Sequence, residues 1–252
     1  LRRGAEFPAV EGGHGCRLSL MPVVRLSMDG AEARLPHGLS SLVVAVALEK
    51  GGIGRRMLQG RVWPDLEPEA AAKRLRQLLW RVRTATAGRL LDVSMEQVRL
   101  ADHVEVDLYD AERFARRAME HGSAPPAEHA VLGRELLADW QDGTVLDAQE
   151  RWNRLRLMAL ERLAEESLRA GAVLDAIEFA GMATMVDEFD EIPRRIMVSA
   201  YSLRGDHAGA RRVYDAYRRL LRTELGLEPS PEFKELLSRN GDMSLKPAAP
   251  AI

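Results

Sequence analysis

Residues 70–83 read AAAKRLRQLLWRVR, five cations, a glutamine and a tryptophan set among apolar residues. At about 100° per residue, Leu75, Leu78, Leu79 and Val82 follow the i, i+3, i+4, i+7 pattern of an amphipathic helix, and Ala71 and Ala72 widen the same stripe. Opposite the stripe fall Lys73, Gln77, Trp80 and Thr84, flanked by Arg74 and Arg81 on one side and by Arg76 and Arg83 on the other. One helix therefore buries one face and presents a broad basic one. A lone basic face is most often simply solvated, so its meaning depends on what surrounds it.

Upstream, RRMLQGRVWP (residues 55–64) predicts a short helix ended by Pro64, and 65–68 a loop from which Pro68 or Glu69 opens the basic helix. Before that, GLSSLVVAVALEKGG (38–52) predicts an apolar helix capped by Ser40 or Ser41 and stopped at Gly51-Gly52. The run RLSLMPVVRLSMDGAEAR (17–34) alternates weakly and turns at Asp29-Gly30, which predicts two or three short antiparallel strands. Downstream, RLLDVS (89–94) and QVRLAD (97–102) form a hairpin around Met95-Glu96. Strands, helix, helix, basic helix and hairpin make the order of a winged helix-turn-helix, in which the third helix enters the major groove and the hairpin reaches adjacent phosphates.

Charge follows the same division. The 252 residues carry a formal net charge of only −2. Yet residues 55–89 hold nine cations against three acids, whereas residues 102–140 hold nine acids against four arginines. A near-neutral total thus hides a basic module followed by an acidic one, and the basic block is the electrostatic footprint of a nucleic-acid surface.

From Val106 onward the pattern is helical, broken by Pro and Gly at 121–126, 143, 171, 193, 205 and 226–231. Gly171 and Ala176 recur as Gly205 and Ala210, 34 residues on. Small residues at a tight turn and at the following helix crossing, repeated at that spacing, are the mark of tetratricopeptide-like helix pairs. The fold class expected is mostly α with small β elements: a segment 1–15 and a tail 240–252 without fixed structure, a winged helix-turn-helix over 16–103, and an all-α helical-repeat domain over 104–239.

The composition, 46% apolar and 29% charged, is that of a globular chain, and no run is long and apolar enough to span a membrane. Cys16 is the sole cysteine, which suits a reducing cytoplasm. Six histidines (14, 37, 103, 121, 129, 207) show no metal-ligand spacing, and His207, in a repeat turn, is expected to be exposed. Neither a phosphate-binding loop, a nucleophile elbow nor a zinc-protease motif occurs. The expectation is a protein without enzymatic chemistry, cofactor or metal.

The two halves together resemble the Streptomyces antibiotic regulatory protein family: an OmpR-type winged helix followed by a tetratricopeptide-like bacterial transcriptional activator domain. The likeness spans roughly residues 17–237. It rests on Trp63 before the turn, on AAAKRLRQLLWRVR, and on VRLADHVEVDLYDAERF (98–114). In the second half it rests on RWNRLRLMALERLAEESL (151–168) and on AYSLRGDHAGARRVYDAYRRLLRTELGLEPSPEF (200–233). The resemblance implies binding of promoter direct repeats through the winged helix, with recruitment of RNA polymerase. Carried over by position, residues 70–83 are the recognition helix, about 90–100 the wing, and 62–68 the polymerase or sigma-factor contact, with Trp63, Asp65 and Glu67 as candidates.

On the helix, Lys73, Arg76 and Gln77 suit base edges, since Arg and Lys pair with guanine and Gln with adenine, while Arg74, Arg81 and Arg83 suit phosphates or intradomain pairs. Trp80 belongs to the DNA-facing set, although a tryptophan there more often covers the wing or the second domain. Trp63, Trp140 and Trp152 are expected in the core. The acids around Phe189 (Asp187, Glu188, Asp190, Glu191) read as a partner-facing edge rather than catalytic carboxylates, with Asp187, Glu188, Phe189 and Asp190 as contacts to a second protomer or to polymerase. Two other functional readings stand at this level: a helical-repeat adaptor with a degenerate winged domain, and a ligand-sensing repressor.

Overall fold

A computed structural model describes residues 15–33, 35–123, 126–141 and 143–242. The first strands are β1 (Cys16–Ser19), β2 (Arg25–Met28) and β3 (Ala31–Ala33). They pair antiparallel in sequence, and β7 (Val104–Val106) adds to β1 in parallel, giving the order β3-β2-β1-β7. Alternation decides which face is inside: Cys16, Leu18 and Leu26 are buried, while Arg17 faces out. Arg17 stands opposite Glu105 in the parallel register and donates to its carboxylate at 2.6 Å. At the β2–β3 turn both Asp29 (φ 52°) and Gly30 (φ 80°) take left-handed conformations, as a two-residue hairpin with the twist of the flanking strands requires.

Helices α1 (His37–Ala47), α2 (Arg55–Val62) and α3 (Pro68–Ala85) follow, with β4 (Ile53–Gly54) between the first two. The expected serine cap of α1 is corrected. Pro36 occupies the N-cap position without a side-chain bond, and the Ser40 hydroxyl donates back to the Leu35 carbonyl at 3.2 Å inside the first turn. Helix α1 is apolar nearly all round and is buried nearly all round: Leu42, Val43 and Val46 are inaccessible, and Val44 and Ala45 are covered as well. Trp140, Gly143 and Val145 line a concavity together with Val44, Ala45 and Leu48, so a later stretch of chain packs beside α1.

The wing is β5 (Leu91–Val93) and β6 (Gln97–Leu100), antiparallel, with β4 added to the free edge of β6 in the order β4-β6-β5. The acid Asp107, at the start of α4 (Asp107–His121), accepts from the Leu20 N–H at 2.8 Å, the Met21 N–H at 3.2 Å and the Ser19 hydroxyl. This ties the exit of β1 to the helix that leaves β7.

The remaining helices are α5 (Pro126–Leu132), α6 (Gly143–Arg169), α7 (Val173–Val186), α8 (Glu191–Leu203), α9 (His207–Glu224) and α10 (Pro231–Asp242). The 34-residue offset is carried through the architecture: α6 and α8 end at Arg169 and Leu203, and α7 and α9 begin at Val173 and His207. Gly171 (φ 76°) and Gly205 (φ 74°) make the same left-handed turn, and Ala176 and Ala210 are both buried at the following crossing. The last core packs Val198, Ala210, Tyr214, Tyr217 and Leu221 around Phe233, with Tyr214 edge-on to Phe233 at 5.1 Å. Ser230 caps α10 by accepting the Phe233 N–H at 3.1 Å, with Pro231 at the first helical position, where its missing N–H costs nothing.

Contacts divide the chain into two compact units. One gathers the described residues up to Asp110 with Glu135–Glu150, and the other gathers Ala111–Arg134 with the described residues from Arg151 onward. Trp152 is buried as expected, whereas Trp63 and Trp140 are only half-buried. His207 is half-buried rather than exposed, and its Nδ1 is shut away from solvent without a partner among the described residues. The segment expected before residue 15 and the tail beyond 242 lie outside the described residues; 240–242 belong to α10. Among the described residues no helix is long and apolar enough to cross a membrane.

Candidate nucleic-acid interface

Helix α3 begins at Pro68 with Glu69 in its first turn, where an acid is favoured by the helix dipole. Ala71, Leu75, Leu79 and Val82 are buried against the rest of the winged unit, which fixes the rotation of the helix. That rotation leaves Lys73, Arg76, Gln77, Trp80, Arg81 and Arg83 exposed. Lys73, Arg76, Gln77, Trp80 and Arg81 line one shallow concavity. Arg76, Trp80 and Arg83 also line a groove that continues onto the wing through Leu91, Asp92 and Val93.

The cations differ in what they already hold. Arg61 pairs with Glu49 at 2.6 Å, and Arg89 forms a two-point pair with Asp29 at 2.6 and 2.9 Å. Arg99 of the wing is shared between Asp92, at 2.8 Å, and Asp102, whose hydrogen bond raises the guanidinium pKa further. Its charge is spent within the wing. Lys73, Arg76, Arg81 and Arg83, by contrast, have no hydrogen-bond or ion-pair partner among the described residues. Their charge is directed into solvent, where it is available to a polyanion.

Arg74 departs from this row. Its guanidinium lies 5.7 Å from the centre of the Trp63 ring, so it ties α3 to the loop before it. Trp63 closes α2 and is half-buried, and Asp65, Leu66 and Glu67 of the same loop are exposed. Sequence reasoning missed Arg55. It starts α2, donates to the Ser94 carbonyl at 3.2 Å, and lines the same groove as Arg76, Trp80 and Arg83. It was legible as one cation of the basic block, but only the antiparallel β4–β6 pairing brings it beside the wing.

The second candidate group, around Phe189, is a turn with internal bonds. Asp187 accepts the Phe189 N–H at 2.8 Å, and Asp190 caps α8 by accepting the Ile192 N–H at 2.9 Å. The Phe189 carbonyl accepts from the Tyr217 hydroxyl at 2.9 Å. Two of the four residues therefore spend their carboxylates on local structure, while Glu188 and the Phe189 ring remain exposed.

A three-helix arrangement with a wing, an exposed basic face on the third helix and following helix pairs make an architecture of a winged unit and a helical-repeat unit. A family model for the bacterial transcriptional activator domain matches residues 106–239, and the chain belongs to that family. It is 30% identical to the regulatory protein AfsR of Streptomyces coelicolor, in an alignment covering 94% of this chain and 25% of AfsR. The chain thus spans about a quarter of the length of that relative. Its fold is similar to that of Mycobacterium tuberculosis EmbR, solved in complex with a low affinity phosphopeptide. There the TM-score is 0.71 at 16% identity, over 93% of this chain and 66% of the EmbR chain. The resemblance to the Streptomyces antibiotic regulatory proteins is borne out, and with it the mostly helical fold with small sheets.

Proposed function

We propose that the chain is a sequence-specific DNA-binding activator that docks α3 in the major groove of promoter direct repeats and recruits RNA polymerase. The observation that carries this reading is the set of exposed cations without protein partners among the described residues: Lys73 opposite the buried stripe of α3, Arg81 on one flank, and Arg76 and Arg83 on the other. A helix fits the major groove, and unpaired cations supply phosphate affinity there. Lys73, Arg76 and Gln77 then face base edges, and Arg81, Arg83 and Arg55 the backbone. Arg74, bound to Trp63, steadies the loop whose exposed Asp65 and Glu67 would meet polymerase or a sigma factor. The helical unit would meet polymerase or a second protomer through Glu188 and Phe189. Protomers arranged head-to-tail match a direct repeat, whereas a two-fold dimer demands a palindrome.

The test is a salt titration of duplex binding. The logarithm of the affinity is expected to fall linearly with that of salt, at about 0.9 per phosphate neutralised. Replacing Arg81 or Arg83 by alanine should shallow the slope by about one each, equally on specific and scrambled sequences. Lys73→Ala should weaken the specific site more than the scrambled one. A flat salt dependence in the unaltered chain would instead mean a protein-binding adaptor.

A further inference from the structure

Trp80 is 68% exposed in the middle of the basic face, an unusual position for the largest apolar side chain. It shares one wall with Lys73, Arg76 and Gln77 and another with Arg55, Arg83 and Val93 of the wing. The wing does not cover it. Its indole N–H has no partner among the described residues. Thr84, one turn further on, donates its hydroxyl to the Trp80 carbonyl at 3.0 Å, so that hydroxyl is already engaged within the helix.

We propose that Trp80 is a specificity-determining residue that reads a thymine through its 5-methyl group. The inference rests on the DNA-binding reading above and adds the base class that this position selects. Apart from Thr84, whose hydroxyl is engaged by the Trp80 carbonyl, every other exposed side chain at the centre of this face is a cation or an amide, suited to phosphates or to the acceptors and donors of guanine and adenine. An indole carries no charge for a phosphate. Stacking needs an unstacked or single-stranded base, which an intact duplex does not present along its groove. The thymine methyl is the apolar group that base pairs display in the major groove, and a flat exposed ring lining one groove with Arg76 and Arg83 is shaped to cover it.

The experiment uses the full chain. Duplexes selected from random DNA define the site, and each thymine in it is then replaced singly by deoxyuridine, which lacks the methyl. The unaltered chain should lose about fourfold in affinity at one such position, the equivalent of one buried methyl group. Trp80→Ala should bind the thymine and deoxyuridine duplexes equally and should lose the thymine preference on reselection. Its melting temperature should match that of the unaltered chain, since the ring lies outside the core. The proposal is overturned if no thymine is methyl-sensitive, or if Trp80→Ala keeps the sensitivity. Failure of the unaltered chain to bind any duplex overturns the DNA-binding reading itself, whereas binding with unchanged methyl sensitivity in the variant removes only the role of Trp80.

Discussion

Glu161 on α6 has one carboxylate oxygen, Oε1, buried without a hydrogen-bond partner among the described residues. Burial, then the Asp190 carboxylate beside it, then the charges of Glu165 and Asp187, push its pKa up to about 8. A carboxyl held above its ordinary range stabilises the fold when protonated. That contribution is complete below the unfolded-state value of about 4.3 and is lost as pH rises through about 8. Thermal melts between pH 6 and pH 9 should therefore show falling stability, and Glu161→Gln, which stays neutral, should flatten the profile and melt higher at pH 9. Parallel profiles for the two proteins would remove Glu161 as the source. No pattern in the sequence marks this group, because its shift comes from acids up to 29 positions away brought together by the α7–α8 turn. The basic row on α3 was legible for the opposite reason: helical spacing alone puts Lys73, Gln77 and Trp80 on one face. What spacing did not show was which cations are already engaged, as Arg74 is by Trp63.

At the scale of elements, two glycines in helices make opposite cases. Alanine is the better helix former by about 1 kcal/mol, so either substitution would stabilise if propensity alone decided. Around Gly181 in α7 an added Cβ meets nothing within 4 Å, and Gly181→Ala should raise stability by about 0.5–1 kcal/mol. At Gly209 an added Cβ would lie 2.5 Å from Asp206 Oδ2 and 2.9 Å from Tyr201 Cδ1. Asp206 caps α9 by accepting the Gly209 N–H at 2.7 Å, so it cannot swing clear without giving up the cap, worth about 0.5–2 kcal/mol, while the Tyr201 ring must shift as well. Gly209→Ala should lower stability by about 1–2 kcal/mol in denaturant melts, and a gain there would show that the turn relaxes freely. Long elements were readable because periodicity accumulates: α3 runs from Pro68, as its proline and acid suggested. The strands β4 and β7, of two and three residues, are too short to show alternation and are formed only by their long-range partners, Val98 and Gln97 for one and Cys16, Arg17 and Leu18 for the other.

At the scale of the whole molecule, the first unit is not a continuous stretch of chain. A reading by composition starts the helical half at residue 104, yet Val104–Val106 hydrogen-bonds to β1, and the Leu137 and Ala138 N–H groups donate to the Leu20 and Pro22 carbonyls at 3.0 and 2.8 Å. Pairings over such separations leave no local trace in the residues that make them. Val104, Val106, Leu136, Leu137 and Val145 are all buried. At about 1.5–3 kcal/mol for each buried side chain, these five supply an upper estimate of roughly 8–15 kcal/mol, comparable to the whole net stability of a domain. We propose that the functional winged domain therefore extends past its wing and requires the returning segment 135–150. A fragment of residues 1–103 should melt without a cooperative transition, whereas residues 1–150 should regain one, as followed by circular dichroism and by protection of the α1 amides from hydrogen exchange. If residues 1–103 melted cooperatively at the temperature seen for the same amides in the full chain, the returning segment would be a covering and not a part of the domain's core.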